Sequence, residues 1–235
     1  MHAPCAYQTR HAAGDALATH RHRTAYAALV LDGDYLEASA DGPAECVPGS
    51  LILHPRFHAH GDRFGRRGAR VINLDLPPGL APETVTVLRV PALAEAAAVF
   101  ARGAHELPAL VAACAAQPPA PLHDWQRPFL DALRDGDAPI ARLARDAGVS
   151  LAHASRSFLR SHGMPPQLLR RELRCRRALA LLAGDAPLAE IAARSGFADQ
   201  SHLTRALRGF AGLPPARLRR QIKSVQDGAA PGMRP

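Results

Sequence analysis

The sequence predicts an α+β protein of two domains: a small antiparallel β-barrel, then an all-α domain in which two helix-turn-helix units are joined by a long helix. Three observations lead there. Residues 1–90 consist of short apolar or alternating runs cut by Gly, Pro and Asp, the composition turns to Ala and Leu from residue 91, and a stretch beginning at Ile140 recurs from Leu188. With 235 residues there is room for two domains that each bury a core.

The strands come first. Residues 25–30, 35–38, 50–53 and 70–75 are apolar or alternating, and Asp32-Gly33-Asp34, Asp41-Gly42-Pro43 and Pro48-Gly49 supply turns between them. Short runs separated in this way suit a small antiparallel barrel or sandwich. Residues 61–70, GDRFGRRGAR, bring Arg63, Arg66, Arg67 and Arg70 close together and read as an exposed basic hairpin, or else as an anion-binding lip.

Histidines mark the same region. His20 and His22 alternate along one strand and so share a face, and His60 on a neighbouring strand can bring a third imidazole to them; His54 and His58 lie in the same segment and are alternatives to His60. Gly14-x5-His20-x-His22-x3-Tyr26-x6-Gly33 and Gly49-x5-Pro55-x-Phe57-x2-His60 resemble the two cupin motifs, with Tyr26 where the first has a carboxylate, Phe57 in place of a Gly, and Phe64 where Asn is usual. This resemblance implies an effector pocket that includes His20, His22, Tyr26 and His60. Three imidazoles would suit a divalent transition metal held by His20, His22 and His60. A pocket of neutral histidines around an organic effector, or a barrel that only positions a dimer, are the other readings.

Residues 91–116 are expected to form two helices divided near Gly103 and Pro108. Leu93, Ala97 and Phe100, then Leu110, Val111 and Cys114, form narrow apolar stripes. Either the barrel of the same chain or the matching helices of a second copy must cover them. QPPAP, residues 117–121, reads as a linker.

The C-terminal half reads as helices over residues 125–134, 139–147, 151–161, 166–183 and 187–194, then one opened by Asp199, with Ser150 as the matching N-cap of the earlier unit. Gly148 and Gly196 are 48 residues apart, whereas His153 and His202, Arg156 and Arg205, Gly163 and Gly212, and Pro165-Pro166 and Pro214-Pro215 are 49 apart. One residue has been added in the turn. Leu203, Leu207 and Phe210 form the inward face of the last unit, leaving Gln200, Ser201, Thr204 and Arg205 on another; in the first, Leu151, Ala154, Phe158 and Leu159 point inward, leaving Ala152, Ser155 and Arg156. A short helix with such a face suits the DNA major groove. The helix over residues 166–183, about 27 Å long, comes close to the ~34 Å of one DNA turn and can carry two such helices.

GF-x-DQSHLTR-x-L-R-x-x-x-G-x-x-P and its earlier copy resemble the DNA-binding domain of the AraC/XylS family of transcription regulators, over residues 125–223. The resemblance implies a sequence-specific, ligand-responsive regulator that forms a homodimer, with RNA polymerase as a partner if it activates. It places Ala152, Ser155, Arg156, Gln200, Ser201 and Arg205 at base-contacting positions. Arg can pair with guanine, Gln with adenine, and Ala can touch a thymine methyl. Arg160, Arg170, Arg171, Arg208 and Arg217 are expected on phosphates, while His153 and His202 are expected to pack or face backbone near their helix starts, a base contact being the alternative. Charge agrees: residues 127–223 carry +10 and residues 1–126 carry −2, within a total of +8.

The expected organisation is therefore a sensor over residues 1–90, a helical dimerisation segment and linker over 91–121, a DNA-binding domain over 122–223 and an unstructured end over 224–235. Cys5, Cys46, Cys114 and Cys175 show no CxxC spacing and read as free thiols, a redox-sensing pair being the alternative. No apolar run reaches membrane-spanning length, so a cytoplasmic location is expected. The rival reading is a cupin-type metal-dependent enzyme fused to a DNA-binding domain. It lacks the motif carboxylate and Asn, and no other catalytic constellation stands out.

Overall fold

The computed structural model describes residues 6–228. The chain divides into two compact units, Met1–Leu122 with Phe158–Met164, and His123–Ser157 with Pro165–Pro235. Among the described residues, no helix is long and apolar enough to cross a membrane.

The first unit is built on one antiparallel sheet. Its strands are β1 (Tyr7–His11), β2 (Ala16–Arg21), β3 (Tyr26–Ser39), β4 (Gly42–Cys46), β5 (Ser50–His54), β6 (Ala59–Asp75), β7 (Thr86–Arg89) and β8 (Ala115–Ala116). They follow the order β1-β6-β3-β5-β7-β8, with β2 also on β6 and β4 also on β3. The long strands β3 and β6 pair over most of their length and form the spine.

Two expectations change along that spine. Asp32-Gly33-Asp34 is not a turn, because β3 runs through it, and residues 61–70 are not a hairpin but the middle of β6. The cause is a matched pair of glycines. Gly33 (φ 73°) and Gly68 (φ 66°) both adopt backbone conformations that L side chains rarely take, and a Cβ on residue 33 would lie 1.9 Å from the Gly68 carbonyl oxygen. The register of β3 on β6 shifts on both sides of Gly33, so each strand bulges and continues. Arg63, Arg66, Arg67 and Arg70 face outward there, while Asp62, Phe64 and Ala69 are buried between them.

Period-two alternation splits the sheet's residues between two cores. Ala27, Leu29, Leu51, Leu53 and Leu74 lie on one face, while Tyr26, Ala28, Val30, Ile52 and Val71 lie on the other. The first face is covered by α1 (Leu93–Arg102) and α2 (Leu107–Ala113), whose Ala96, Phe100, Leu107 and Leu110 join its core. Gly103 ends α1, and Pro108 sits in the first turn of α2, where its missing N–H costs nothing. The apolar stripes that suggested a second copy are thus packed on the chain's own sheet. Gln117, expected in the linker, is tied down: its N–H donates to the Val87 carbonyl at 2.9 Å and its side-chain amide to that of Glu45 at 2.8 Å.

The second unit holds α3 (Gln126–Asp135), α4 (Ile140–Asp146), the part of α5 (Leu151–His162) that precedes Phe158, α6 (Pro166–Leu182), α7 (Leu188–Arg194), α8 (Gln200–Ala211) and α9 (Pro215–Gly228). These helices lie where the sequence pattern placed them to within a residue or two, with α9 as the exception. It runs on to Gly228, where an unstructured end was expected from Ser224, because Ser-Val-Gln-Asp contains neither Gly nor Pro to stop it. Residues 229–235 lie outside the described residues, as does Cys5; Cys46, Cys114 and Cys175 are free thiols.

Phe100→Ala should lower the stability of the first unit by about 3–5 kcal/mol, since it empties a fully buried site. Denaturation should show the same loss at every protein concentration. A loss that disappears as concentration rises would instead place a second copy over α1 and α2.

Candidate functional site

Each helix-turn-helix unit presents one helix by the same device. The Ser150 side chain accepts from the His153 N–H at 3.1 Å to open α5, and Asp199 accepts from the His202 N–H at 2.7 Å to open α8. Gly163 and Gly212 follow with φ of 70° and 74°, the left-handed close of a helix. Leu203, Ala206, Leu207 and Phe210 bury one face of α8, leaving Gln200, Ser201 and Arg205 exposed and Thr204 half-buried. On α5, Ala154, Ser157 and Phe158 are buried, Ala152 and Arg156 are exposed, and Ser155 is half-buried. Leu151 and Leu159, expected inside, are 47% and 52% exposed. Leu159 lies well around the helix from Ala154, and Leu151 lies at the helix start. His202 rests edge-on against Phe197, and His153 lies beside Trp125, so neither ring is spare.

A second repeat went unread in the sequence. Asp137-Ala138-Pro139 and Asp185-Ala186-Pro187, 48 residues apart, precede α4 and α7. Arg170 donates to the Ala138 carbonyl at 2.7 Å, and Arg219 donates to the Ala186 carbonyl at 2.5 Å. One turn further on, Arg174 pairs with Asp137 and Lys223 with Asp185. The long helix of one unit and the last helix of the other therefore grip the entry of each helix-turn-helix in the same way. Arg170, expected on phosphate, is half-buried in this grip, and burial followed by the neighbouring Arg174 lowers its pKa. Arg160, Arg171, Arg208 and Arg217 are exposed.

The first unit has a cavity of about 120 Å³ on the sheet face opposite α1 and α2, and the expected residues His20, His22, Tyr26 and His60 line it. His20 pairs directly with His60 across β2 and β6. Ring centroids are 4.6 Å apart for His20 and His60, 4.8 Å for His20 and His22, and 5.3 Å for His22 and His60. Each ring is oriented by a neighbour. His20 Nδ1 donates to the Ala18 carbonyl at 3.0 Å, and His60 Nδ1 donates to Asp62 at 3.0 Å, so both rings turn Nε2 inward as an acceptor. His22 Nε2 lies 3.0 Å from His20 Nε2, and the Tyr26 hydroxyl lies 3.0 Å from His60 Nε2. Burial, then the imidazoles of His60 and His20, holds the His22 pKa down to about 4. Burial opposes the charged form of His60, but Glu37 and Asp62 outweigh it and raise that pKa.

This donor set fits a divalent transition metal. One ligand atom from each of His20, His22 and His60 lies within 4.8 Å of the others, and two of the three rings have the outer nitrogen held by an acceptor, as metal-bound imidazoles do. An ion there would take over the His60 lone pair that now accepts from Tyr26.

Glu37 was missed. It is wholly buried and its carboxylate meets His54 Nε2 at 2.9 Å, His58 Nε2 at 3.2 Å and His60 Nδ1 at 3.5 Å. Burial disfavours its charge, yet His54 and His60 together with the hydrogen bonds from His54 and His58 hold its pKa well below the usual carboxylate range. His58, also buried, is pushed down to about 4, so it stays neutral beside it. His54 and His58 thus sit behind His60 rather than in its place.

Residues 143–221 match the family described as "Helix-turn-helix domain". No curated protein matches the sequence. Among solved structures, the C-terminal domain of AraT, a response regulator from Geobacillus stearothermophilus, is 24% identical over 43% of this chain and 88% of its own, with a TM-score of 0.41. Unsaturated fatty acid bound wild-type ToxT from Vibrio cholerae is 10% identical over 92% of this chain and 94% of its own, with a TM-score of 0.42. The C-terminal domain of the response regulator yesN from Fusobacterium nucleatum is 22% identical over 40% of this chain and 93% of its own, with a TM-score of 0.37. Such low scores leave the weight on the family match and on the two capped, exposed helices with their basic surroundings. Residues 143–221 are a helix-turn-helix DNA-binding domain of the AraC/XylS type, and the chain that carries it is a DNA-binding transcription regulator.

Proposed function

We propose that α5 and α8 are the two reading helices and that the N-terminal cavity is the sensor, with a divalent transition metal as its ligand. The closeness of one ring nitrogen from each of His20, His22 and His60 carries the sensor reading. α6, 17 residues and about 26 Å long, supports the two-headed reading, since it can set both helices on one face of a duplex. Gln200, Ser201 and Arg205 stand on α8 to meet base edges, with Arg156, Ser155 and Ala152 on α5; Arg160, Arg171, Arg208 and Arg217 serve phosphates. Arg170 leaves that list because Ala138 holds it. The ion would supply only a link between side chains, and His20, His22 and His60 would hold it. A coupling of about 1–3 kcal/mol between ion and operator would be ordinary for such a regulator. One chain carries both reading helices, so binding should not require a homodimer, and RNA polymerase enters only if the bound protein activates.

Three tests follow from these assignments. Arg205→Ala should cost about 1–3 kcal/mol of discrimination at one base pair, while Arg208→Ala should weaken all sequences alike and flatten the salt slope by about one unit. Selection from randomised duplexes reads both, and an unchanged base preference in Arg205→Ala would take α8 out of the groove. Arg219→Ala removes the donor from the Ala186 carbonyl and should cost about 1–3 kcal/mol of stability in the second unit, with base preference kept. Finally, Zn²⁺ or Co²⁺ at a hundredfold its Kd should stabilise the first unit by about 2.7 kcal/mol. His22→Ala should abolish most of that gain. A melting temperature indifferent to metal, alongside a DNA response altered by His22→Ala, would point to an organic effector instead.

A further inference from the structure

Behind the three imidazoles at the cavity wall lies a second group with metal-ligand chemistry: Glu37 on β3, His54 at the end of β5, and His58 just before β6. One ligand atom from each falls within 4.8 Å of the others, and all three residues are at most 1% exposed. The group differs from the outer one in that it contains a carboxylate and all its members are buried.

Two further observations point to a cation. Glu37 and Asp62 are both buried, at 0% and 5% exposure, and among the described residues each forms ion pairs only with histidines, never with Lys or Arg. Two buried carboxylates whose ion-pair partners are all imidazoles make a donor set of the kind that holds a divalent transition metal. His54 supplies the other observation: its Nδ1 is buried and, among the described residues, has no hydrogen-bond partner.

We propose that Glu37, His54 and His58 form a second, interior site for a divalent transition metal, separate from the site of His20, His22 and His60. Two imidazoles and one carboxylate favour zinc-like ions over magnesium or calcium, which prefer sets made of oxygen. An ion there joins β3, β5 and the start of β6 from inside, next to the Asp62–His60 pair that orients the outer set. The proposal deepens the sensor reading and rests on it for its regulatory meaning: the inner ion would be the resident one, and the outer would be the one that is sensed.

The experiment strips the full chain with a chelator, reloads it with Zn²⁺ or Co²⁺, and counts ions per chain by mass spectrometry of the metal, with Co²⁺ absorption as a second readout. Two ions per chain are expected in the unsubstituted protein. His22→Ala and Glu37→Gln should each retain one, and the double variant none. His58→Gln stands in for Glu37→Gln if circular dichroism shows that the latter fails to fold. A single ion in the unsubstituted protein that His22→Ala loses and His58→Gln keeps overturns the interior site and leaves the sensor reading intact. A single ion that His22→Ala keeps and His58→Gln loses upholds the interior site and overturns the outer one. No bound ion overturns both.

Discussion

Everything in the N-terminal unit depends on the close approach of two glycines. Gly33 and Gly68 allow β3 and β6 to bulge together at the same level, and neither strand could tolerate a Cβ there without collision. Side chains alternate along a strand with a period of two, so a bulge exchanges the faces. Tyr26, Ala28 and Val30 point into the pocket face before the bulge in β3, and Tyr35 joins them after it. Tyr26 and Glu37 both line the cavity although an even and an odd position in one unbroken strand should face opposite ways. In β6 the same exchange puts His60, Asp62 and Phe64 on one side of the bulge and Val71 and Asn73 on the other, all around one cavity.

That geometry gathers five imidazoles and two carboxylates in a small volume, with the aromatic rings of Tyr26 and His54 stacked 4.1 Å apart between them. Burial disfavours the charge of Glu37, but His54 and His60, with the hydrogen bonds from His54 and His58, outweigh it and hold its pKa low. The arginines of β6, by contrast, stand on the outer side of the same strand and take no part in the cluster.

The helical unit reaches its geometry by duplication. Caps at Ser150 and Asp199, left-handed closes at Gly163 and Gly212, and the paired grips of Arg170 and Arg219 occur at corresponding positions. Repeating the grip fixes the entry of each helix-turn-helix in the same way. It also explains why a basic domain does not turn every arginine to DNA. Some of the positive charge is spent inside, on carbonyls that have no helical partner.

The sequence by itself determined the helical half almost completely, because the signals there are local. Apolar spacing, a capping oxygen and a following glycine act within a few residues of one another, and the 48- and 49-residue offsets let one unit check the other. His20 and His22 were legible for the same reason, as an alternating pair on one strand, whereas Tyr26 and His60 were set beside them by the resemblance to the cupin motifs. What only the tertiary structure decided are the features that depend on pairing between distant segments. Asp32-Gly33-Asp34 has the composition of a turn and becomes a bulge only because Gly68 lies opposite it. Glu37 has the wrong parity to join Tyr26 until that bulge exchanges the faces. Arg170 looks like any exposed helical arginine until the carbonyl of Ala138, thirty-two residues earlier, is placed against it. The stripes of α1 and α2 were equally suited to a second copy or to the chain's own sheet, and the apolar face of β3 and β5 was the surface that covered them. Local sequence can specify an element and its amphipathic face, but which face meets which is fixed by packing and by hydrogen bonds across the fold.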